Sequence, residues 1–298
     1  MVGPSSLMPI TIDMLQKDIA QRLKDAGCGE TSQLDARLLI RNTLNLSDVE
    51  MLAHGRDHVV AISDIDRVLE NANKRIDGMP ISRIFSNREF WGLPFYINEH
   101  CLDPRPDTET LIEAALALFK GREHEPLRII DFGTGSGCIL VSLLSEFPNA
   151  YGVGVDISEG ALKVAQRNAK SLGVADRIDF VCSDWVKALS FSEGGRFDLL
   201  VSNPPYIESD VIPNLQREVI HFDPALALDG GDKGLNPYEI LIPQLKNILS
   251  KDGKSLFEIG KDQESDLMRL IEKAGANLSR EYRDLAGIIR VVEISLWG

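Results

Sequence analysis

The chain has 298 residues, of which 44% are hydrophobic and 26% are charged, as in an ordinary globular protein with a well-buried core. Its formal net charge of -13 at pH 7 argues against broad, sequence-independent binding of DNA or RNA, because such binding needs lysine and arginine to neutralise phosphates. The four cysteines lie far apart and the five histidines are scattered, so the sequence predicts neither a metal site nor a disulfide framework.

Targeting and membrane signals are absent from the sequence pattern. The first ten residues lack the basic start and apolar core of a signal peptide. No apolar run approaches the roughly 20 residues that are needed to cross a bilayer. We therefore expect a cytoplasmic protein with reduced thiols and no membrane attachment.

Residues 1–85 predict a small helical domain. Apolar residues recur there with the period of an amphipathic helix, and a Ser or Thr suited to N-capping precedes each stretch. We expect four helices, which begin at Thr11, near Ser32, after Ser47 and after Ser63. The second helix should bury Leu34, Leu38 and Leu39. The domain holds no evident catalytic grouping, so we interpret it as a module that docks the substrate.

Residues 86–101 are expected to form a β-hairpin that links two domains. The segment 89–97 predicts two short strands about a Gly-Leu-Pro turn. Arg105 follows between two prolines, which would make this part of the chain stiff enough to cover a cleft. Asp107 or Thr108 is expected to cap the next helix.

Residues 102–298 predict an α/β domain, because strands and helices alternate from residue 127 onward. The expected parallel strands are 127–132, 151–155, 178–182, 197–202 and 255–259, and 288–296 should add an antiparallel strand. This pattern is typical of a doubly wound, Rossmann-like sheet, whose ligands bind at the carboxyl ends of the strands.

A glycine-rich segment after the first strand of this domain predicts a nucleoside site. This glycine loop consists of Gly133, Thr134, Gly135, Ser136 and Gly137. A dinucleotide fingerprint would need glycine where Cys138 stands, whereas G-x-G-x-G preceded by Asp131 suits a nucleoside with an amino-acid tail. Asp156 ends the next strand, where a carboxylate can accept hydrogen bonds from ribose. Asp184 and Trp185 end the third strand and are expected to flank adenine. The predicted cofactor is S-adenosylmethionine, with S-adenosylhomocysteine as the product.

The strand 197–202 stops at a tetrapeptide, the acceptor segment, that consists of Asn203, Pro204, Pro205 and Tyr206. Two prolines cannot extend a sheet ladder, so a stiff loop should stand at the carboxyl edge. A planar NH2 group could donate one hydrogen to the Asn203 side chain and the other to the Pro204 carbonyl, with Tyr206 nearby. We expect the segment to bind the substrate, with Asn203, Pro204 and Tyr206 as catalytic residues and Asn203 also in contact with the cofactor.

Several segments together resemble the HemK/PrmC family of class I S-adenosylmethionine-dependent methyltransferases. They are 89–94, 104–109, 131–137 with Asp156, 203–206 and 223–235. The resemblance implies transfer of a methyl group to the side-chain amide nitrogen (N5) of the glutamine in the Gly-Gly-Gln motif of class 1 peptide chain release factors. It covers nearly the whole chain and is strongest over 89–235. Asp223, where the family pattern has Glu, and Lys233 depart from it.

Two other functions fit parts of the same sequence. A DNA adenine-N6 methyltransferase would use the same acceptor segment, because adenine presents the same NH2 group, but it would need base flipping and a basic surface. A protein that binds the cofactor without catalysing methyl transfer would use the glycine loop and not the acceptor segment. We expect a monomer that contacts release factors and neither nucleic acid nor membrane.

Overall fold

The structure, a computed structural model, describes residues 9–191 and 196–296. The chain divides into two compact units, Met1–Ser86 and Asn87–Gly298. Our expectation that the chain lacks a signal peptide rests mainly on residues 1–8, which lie outside the described residues. Within the described ranges, no helix combines the length and apolar character that a bilayer span requires.

The first unit is helical, as expected. Its helices are α1 (Ile12–Asp25), α2 (Ser32–Leu44), α3 (Asp48–His54), α4 (Ile62–Ile76) and α5 (Ile81–Phe85). Two predicted caps are present, since the Thr11 side chain accepts a hydrogen bond at the start of α1 and Ser47 forms a capping box with Glu50. The sequence did not predict α5. The prediction that Leu34 is buried was wrong, because it is 55% exposed.

A charged residue occupies the buried side of α2 where we had placed Leu34. Asp35 lies on the same stripe as Leu39, one helical turn away, and accepts a hydrogen bond of 2.8 Å from Arg75 Nε of α4. The two side chains are only 9% and 10% exposed. Because a buried charge without its partner is costly, this pair should fix how α2 and α4 pack.

The substitution Asp35→Ala should lower the free energy of unfolding by about 3 kcal/mol or more, since it leaves the Arg75 guanidinium buried without its carboxylate. Urea denaturation of the full chain, followed by circular dichroism, measures the loss. The matched control is Asp18→Ala, which removes an exposed ion pair with Arg22 and should cost less than about 1 kcal/mol. Equal losses in the two variants would contradict the prediction.

The second unit begins with a hairpin of β1 (Asn87–Phe90) and β2 (Leu93–Tyr96). Its turn consists of Trp91 and Gly92, both with positive φ, as a type I′ turn requires. The predicted turn at Gly-Leu-Pro was therefore misplaced along the chain, because the Leu and the Pro belong to β2. Phe90 and Phe95 pack edge to face and join the main core of this unit. The hairpin is thus part of the second unit's core.

A seven-stranded sheet organises the rest of the second unit. Its further strands are β3 (Arg128–Phe132), β4 (Tyr151–Asp156), β5 (Ile178–Cys182), β6 (Phe197–Ser202), β7 (Leu249–Glu258), β8 (Asn277–Arg283) and β9 (Ile289–Ser295), in the order β5-β4-β3-β6-β7-β9-β8. The five strands from β3 to β7 are parallel, and β9 is antiparallel to β7, as predicted. The edge strand β8 was not predicted, because its polar sequence shows no clear alternation.

Helices cover both faces of this sheet. They are α6 (Glu109–Leu118), α7 (Cys138–Glu146), α8 (Glu159–Ser171), α9 (Arg217–Phe222), α10 (Asn236–Leu241), α11 (Leu245–Ile248) and α12 (Glu264–Lys273). Successive strand residues face opposite layers, so Ile129 joins one core and Ile130 the other. This two-sided burial explains the continuous apolar runs of the parallel strands. Between α10 and α11 the helical path is interrupted by a 3-10 turn at Ile242–Gln244, which contains a proline.

The register of the parallel strands decides which residues meet at their carboxyl edge. Phe132 pairs with Val155 on one side and with Ser202 on the other, and Ser202 pairs with Phe257. The next residue along each of these strands therefore lies at the same edge. Those residues are Gly133, Asp156, Asn203 and Glu258.

Candidate active site

A cavity of about 550 Å³ lies at this edge of the sheet. The residues on its wall that the sequence had predicted are Gly133, Thr134, Gly135, Ser136, Asp156, Asp184, Trp185, Asn203 and Pro205. The other four predicted residues, Asp131, Gly137, Pro204 and Tyr206, are not among the residues that line it, so a direct contact of their side chains with a ligand stays a prediction. The tertiary structure thus brings the glycine loop and the acceptor segment to one cavity.

The glycine loop turns sharply between β3 and α7. Gly133, Gly135 and Gly137 all have positive φ, a conformation that side chains disfavour. A Cβ at Gly137 would also lie 3.1 Å from the Cβ of Ala165, so this glycine lets α7 pack closely against α8. The Asn168 side chain of α8 donates to the Ser136 carbonyl at 2.9 Å, which fixes the loop from behind. Our sequence reasoning missed Asn168.

Asp156 supports the loop from the neighbouring strand. Its two carboxylate oxygens accept hydrogen bonds of 2.8 Å from Gly135 N and 2.9 Å from Ser158 N. Burial raises the pKa of Asp156, and these backbone donors partly oppose that rise. Each carboxylate oxygen has a second lone pair, so Asp156 can still accept from ligand hydroxyls.

Asp131 lies beneath the glycine loop, fully buried. Its Oδ2 accepts a hydrogen bond of 2.7 Å from Thr134 Oγ1, which ties the loop to β3. Burial raises the pKa of Asp131 to about 7. Its Oδ1 has no hydrogen-bond partner among the described residues. A direct contact between Asp131 and the cofactor stays a prediction, whereas its hold on Thr134 is seen in the structure.

Asp184 and Trp185 stand on the wall just after β5. Asp184 forms an ion pair of 2.6 Å with Lys187, whose side chain is largely exposed, whereas that of Asp184 is partly exposed. Trp185 is partly buried against the core and has a φ of 51°, unusual for a residue other than glycine. Its ring lies close to Gly133, where an added Cβ would meet it at 4.0 Å. Trp185 and the glycine loop therefore lie side by side on the cavity wall.

Asn203 is oriented by a side chain from another segment. Its Nδ2 donates a hydrogen bond of 3.1 Å to Thr108 Oγ1, so Oδ1 is the free end of the amide. Neither Asn203 Oδ1 nor the Pro204 carbonyl accepts a hydrogen bond from residues 9–191 or 196–296. The acceptor segment therefore offers two neighbouring oxygen acceptors. Thr108 was expected to cap α6 but makes no capping bond.

Tyr206 is not among the residues that line the cavity. Its hydroxyl donates at 3.2 Å to Oε1 of Glu258, the last residue of β7. Burial raises the pKa of Tyr206 far above its usual range, so the phenol stays protonated. The sequence analysis missed Glu258, although a carboxylate that ends an apolar strand was the signal that identified Asp156.

The segment 223–235 packs directly on the acceptor segment. Ile207 N donates to the Leu228 carbonyl at 3.1 Å, and Gly230 N donates to the Ile207 carbonyl at 2.8 Å. A Cβ at Gly230 would lie 2.7 Å from the Pro205 carbonyl oxygen. The absence of a side chain there permits the close approach of the two backbones.

Arg105 bridges to the beginning of the same segment. Its guanidinium donates to Asp223 Oδ2 at 2.6 Å, while Asp223 Oδ1 accepts from Asp103 N. Arg105 also lines the cavity, so the stiff proline-flanked segment covers part of it, as expected. Asp107 likewise makes no cap and accepts a hydrogen bond from Arg290 at 3.0 Å. The shorter Asp223, in place of the expected Glu, still reaches its arginine.

Among the residues that the structure describes, no three His, Cys, Asp or Glu side chains come together as a ligand group. The cavity instead combines a glycine loop, a carboxylate at the end of the adjacent strand and an aromatic ring. These groups fit a nucleoside with an amino-acid tail, because they offer backbone N–H groups, acceptors for hydroxyls and a flat apolar surface.

The fold and this edge site define a class I S-adenosylmethionine-dependent methyltransferase. Residues 123–281 match a family model described as a methyltransferase domain, and residues 15–85 match the PrmC N-terminal domain. The solved structure of the hMettl16 catalytic domain in complex with MAT2A 3'UTR hairpin 6 shares the fold. The two have a TM-score of 0.54 and 16% identity over 80% of this chain and 83% of that one.

Two curated relatives extend the similarity over nearly the whole chain. A release factor glutamine methyltransferase of Bradyrhizobium diazoefficiens is 43% identical over 95% of this chain and 94% of its own length. A protein of the same name from Rhodospirillum rubrum is 44% identical over 90% of this chain and 80% of its own length. The chain belongs to the release factor glutamine methyltransferase family. Its methyl donor is S-adenosylmethionine.

The substitution Asp156→Asn should weaken the binding of S-adenosylmethionine by about tenfold or more. An amide oxygen accepts hydrogen bonds less strongly than a carboxylate oxygen does. The new NH2 group would also face a backbone N–H that now donates to Asp156. Isothermal titration calorimetry measures the dissociation constant. Asp179→Asn, on the exposed side of β5, is the matched control and should leave the constant within about twofold. Unchanged affinity in Asp156→Asn would contradict the assignment.

Proposed function

We propose that this protein transfers the methyl group of S-adenosylmethionine to the side-chain amide nitrogen (N5) of the glutamine in the Gly-Gly-Gln motif of peptide chain release factors. The observation that carries the proposal is the Asn203 side chain, which lines the cavity and is oriented by Thr108 so that Oδ1 is free to accept. Family membership, at 43% identity over 95% of the chain, supports the acceptor.

An amide nitrogen is a poor nucleophile because its lone pair is delocalised into the carbonyl group. Hydrogen bonds from its two hydrogens to Asn203 Oδ1 and to the Pro204 carbonyl would fix the nitrogen and turn its lone pair toward the donor. S-adenosylmethionine supplies an electrophilic methyl group and accepts the electron pair of the broken S–C bond. The residues of this chain thus contribute positioning and electrostatic stabilisation.

No strong base need stand at the acceptor nitrogen. As the new N–C bond forms, the nitrogen becomes strongly acidic, so its proton can leave late to solvent. The acceptor oxygens of Asn203 and Pro204 stabilise the positive charge that develops on the N–H groups meanwhile. The site fits a reaction without a strong base, because it offers oxygen acceptors beside the glycine loop.

We also propose that this protein is a cytoplasmic monomer that binds class 1 release factors. It makes no direct contact with nucleic acid or membrane. The cytoplasmic location follows from the proposed substrate, since release factors act in translation. Residues 1–85 would dock the release factor, and residues 86–101 would connect them to the catalytic domain 102–298. Large apolar side chains on the surface of the helical unit, such as Val49 and Leu52, suit a docking role.

The substitution Asn203→Ala should abolish turnover, with a loss of at least about 100-fold, because the acceptor amide loses a partner that fixes and stabilises it. The dissociation constant of S-adenosylmethionine should stay within about threefold. The matched control is Asn149→Ala, an exposed asparagine that follows α7 at the opposite edge of the sheet. Unchanged turnover in Asn203→Ala would refute its catalytic role.

The acceptor is tested by transfer of labelled methyl groups to purified release factor. The parallel samples are a release factor with Gln→Ala in its Gly-Gly-Gln motif and unmethylated duplex DNA. Label on the native release factor alone is the expected result. Label on DNA would favour the adenine-N6 reaction, and cofactor binding without any transfer would favour a cofactor-sensing protein.

A further inference from the structure

Gln263 is a polar residue beside the acceptor segment that the proposed reaction leaves without a role. It directly precedes α12, whose Leu267 and Ile271 are buried in one of the two cores of the sheet. The backbone carbonyl of Gln263 accepts a hydrogen bond of 3.0 Å from Leu267 N, so the first turn of the helix fixes its backbone. Gln263 is not among the residues that line the cavity. Its effect on a reaction there must therefore pass through the groups that its side chain contacts.

The side-chain amide of Gln263 joins two loops at the carboxyl edge of the sheet. Its Oε1 accepts a hydrogen bond of 2.8 Å from the backbone N of Gly260, just after β7. Its Nε2 donates at 3.0 Å to the backbone carbonyl of Tyr206, the last residue of the acceptor segment. A backbone N–H can only donate and a backbone carbonyl can only accept, so these partners determine the orientation of the amide. The donor end of Gln263 therefore faces the acceptor segment.

A third loop meets the same NH2 group. Longer contacts of 3.4 Å join Gln263 Nε2 to the carbonyl oxygens of Lys233 and Gly234, within the segment 223–235. Together with the Tyr206 carbonyl, three backbone acceptors thus converge on one NH2 group, which has two hydrogens to donate. Carbonyl oxygens that lose a donor in such a place lose part of what offsets their removal from water.

Glycines in two of these loops permit the close packing. Gly234 has a φ of 67°, and a Cβ there would collide with the Tyr206 carbonyl oxygen and lie 2.6 Å from Gln263 Nε2. A Cβ at Gly260 would lie 2.8 Å from Gln263 Oε1 and 3.1 Å from the Tyr206 ring. The Gln263 amide therefore occupies a space that the neighbouring loops leave open because they carry no side chain there.

The contact with Gln263 holds the far end of the acceptor segment. Asn203 directly follows β6, so the sheet holds the near end. Pro204 and Pro205 lie between the two ends, and both have a fixed φ. The direction of the Pro204 carbonyl therefore depends on how the chain is held before and after the prolines. Gln263 supplies the hold after them, through the Tyr206 carbonyl.

We propose that Gln263 is a positioning residue, whose NH2 group holds the Tyr206 carbonyl and so keeps the Pro204 carbonyl directed at the NH2 group of the substrate glutamine. The proposal rests on the methyl-transfer function proposed above. Gln263 acts through the backbone of the acceptor segment, without contact to the reacting atoms. The same NH2 group ties the segment 223–235 to the acceptor segment.

The test compares Gln263→Glu with wild type at about pH 8, where a partly exposed carboxyl group is ionised. The carboxylate has nearly the size of the amide and can still accept from Gly260 N, but it has no hydrogen to donate and repels the Tyr206 carbonyl. With saturating cofactor and native release factor, we expect kcat to fall by about tenfold to 100-fold. Asn203→Ala should lose more, because in Gln263→Glu the Tyr206 hydroxyl and the Ile207 backbone keep their hydrogen bonds.

Three further measurements separate this role from a general loss of structure. Calorimetry counts the sites that bind S-adenosylmethionine, and kcat is expressed per site, so unfolded protein does not lower it. The dissociation constant of the cofactor should stay within about threefold, because the hydrogen bonds of the Gln263 side chain among the described residues do not involve the glycine loop. Hydrogen–deuterium exchange over 203–211 should become faster, since the Tyr206 carbonyl is released.

The matched control is Gln244→Glu. It makes the same chemical change at the 3-10 turn between α10 and α11, where the Gln244 side chain accepts from that of Asn247. This variant should leave kcat within about twofold. A second variant, Gln263→Met, has a side chain of similar length that makes neither hydrogen bond. It should also lower kcat, because it too removes the donor to Tyr206.

The outcomes distinguish the two proposals. Wild-type kcat in Gln263→Glu would overturn the positioning role and leave methyl transfer intact. A fall in kcat would also overturn it if exchange over 203–211 stayed unchanged, or if cofactor affinity fell equally. If wild type itself transfers no label to release factor, the proposed function fails, and the positioning role fails with it. A lower kcat per site with faster exchange and unchanged cofactor affinity would establish the role of Gln263.

Discussion

The parallel register at the carboxyl edge of the sheet is the constraint on which the site depends. Because Phe132, Ser202 and Phe257 are aligned across three neighbouring strands, the chain segments that follow them emerge side by side. The glycine loop, the acceptor segment and Glu258 are those segments. A shift of one residue in any pair would turn the alternate side chains to the opposite face and separate the groups that the cavity brings together.

Buried carboxyl groups then hold the flexible parts of this edge in place. Asp131 holds Thr134 and Asp156 holds Gly135, so the glycine loop is attached to two strands. Beside the acceptor segment, Glu258 accepts a hydrogen bond from the Tyr206 hydroxyl. Burial makes each of these carboxyl groups costly, as their raised pKa values indicate, and their hydrogen bonds to loops offset that cost. These buried carboxyl groups lower the stability of the fold, but they hold the site in a preorganised conformation.

The acceptor segment alone does not distinguish among substrates, because an amide and an adenine present the same NH2 group to it. The net charge of -13 disfavours a broad nucleic-acid surface. The additional match of residues 15–85 to the PrmC N-terminal domain, and relatives over nearly the full chain, assign the family. The family is therefore assigned by parts of the chain outside the acceptor segment.

Local sequence was sufficient for the elements whose signals are local. Apolar runs bounded by breakers predicted β3 to β6, and the Ser and Thr caps predicted the starts of α1 and α3. The glycine loop, Asp156 and the acceptor segment were recognisable because each chemistry-bearing residue directly follows a strand. Only the tertiary structure decided which polar side chains form hydrogen bonds with each other. The pairs are Asp35 with Arg75, Thr108 with Asn203 and Tyr206 with Glu258. Each pair joins residues far apart in sequence, and a hydrogen bond between them leaves no periodicity or spacing in the chain from which it could be predicted.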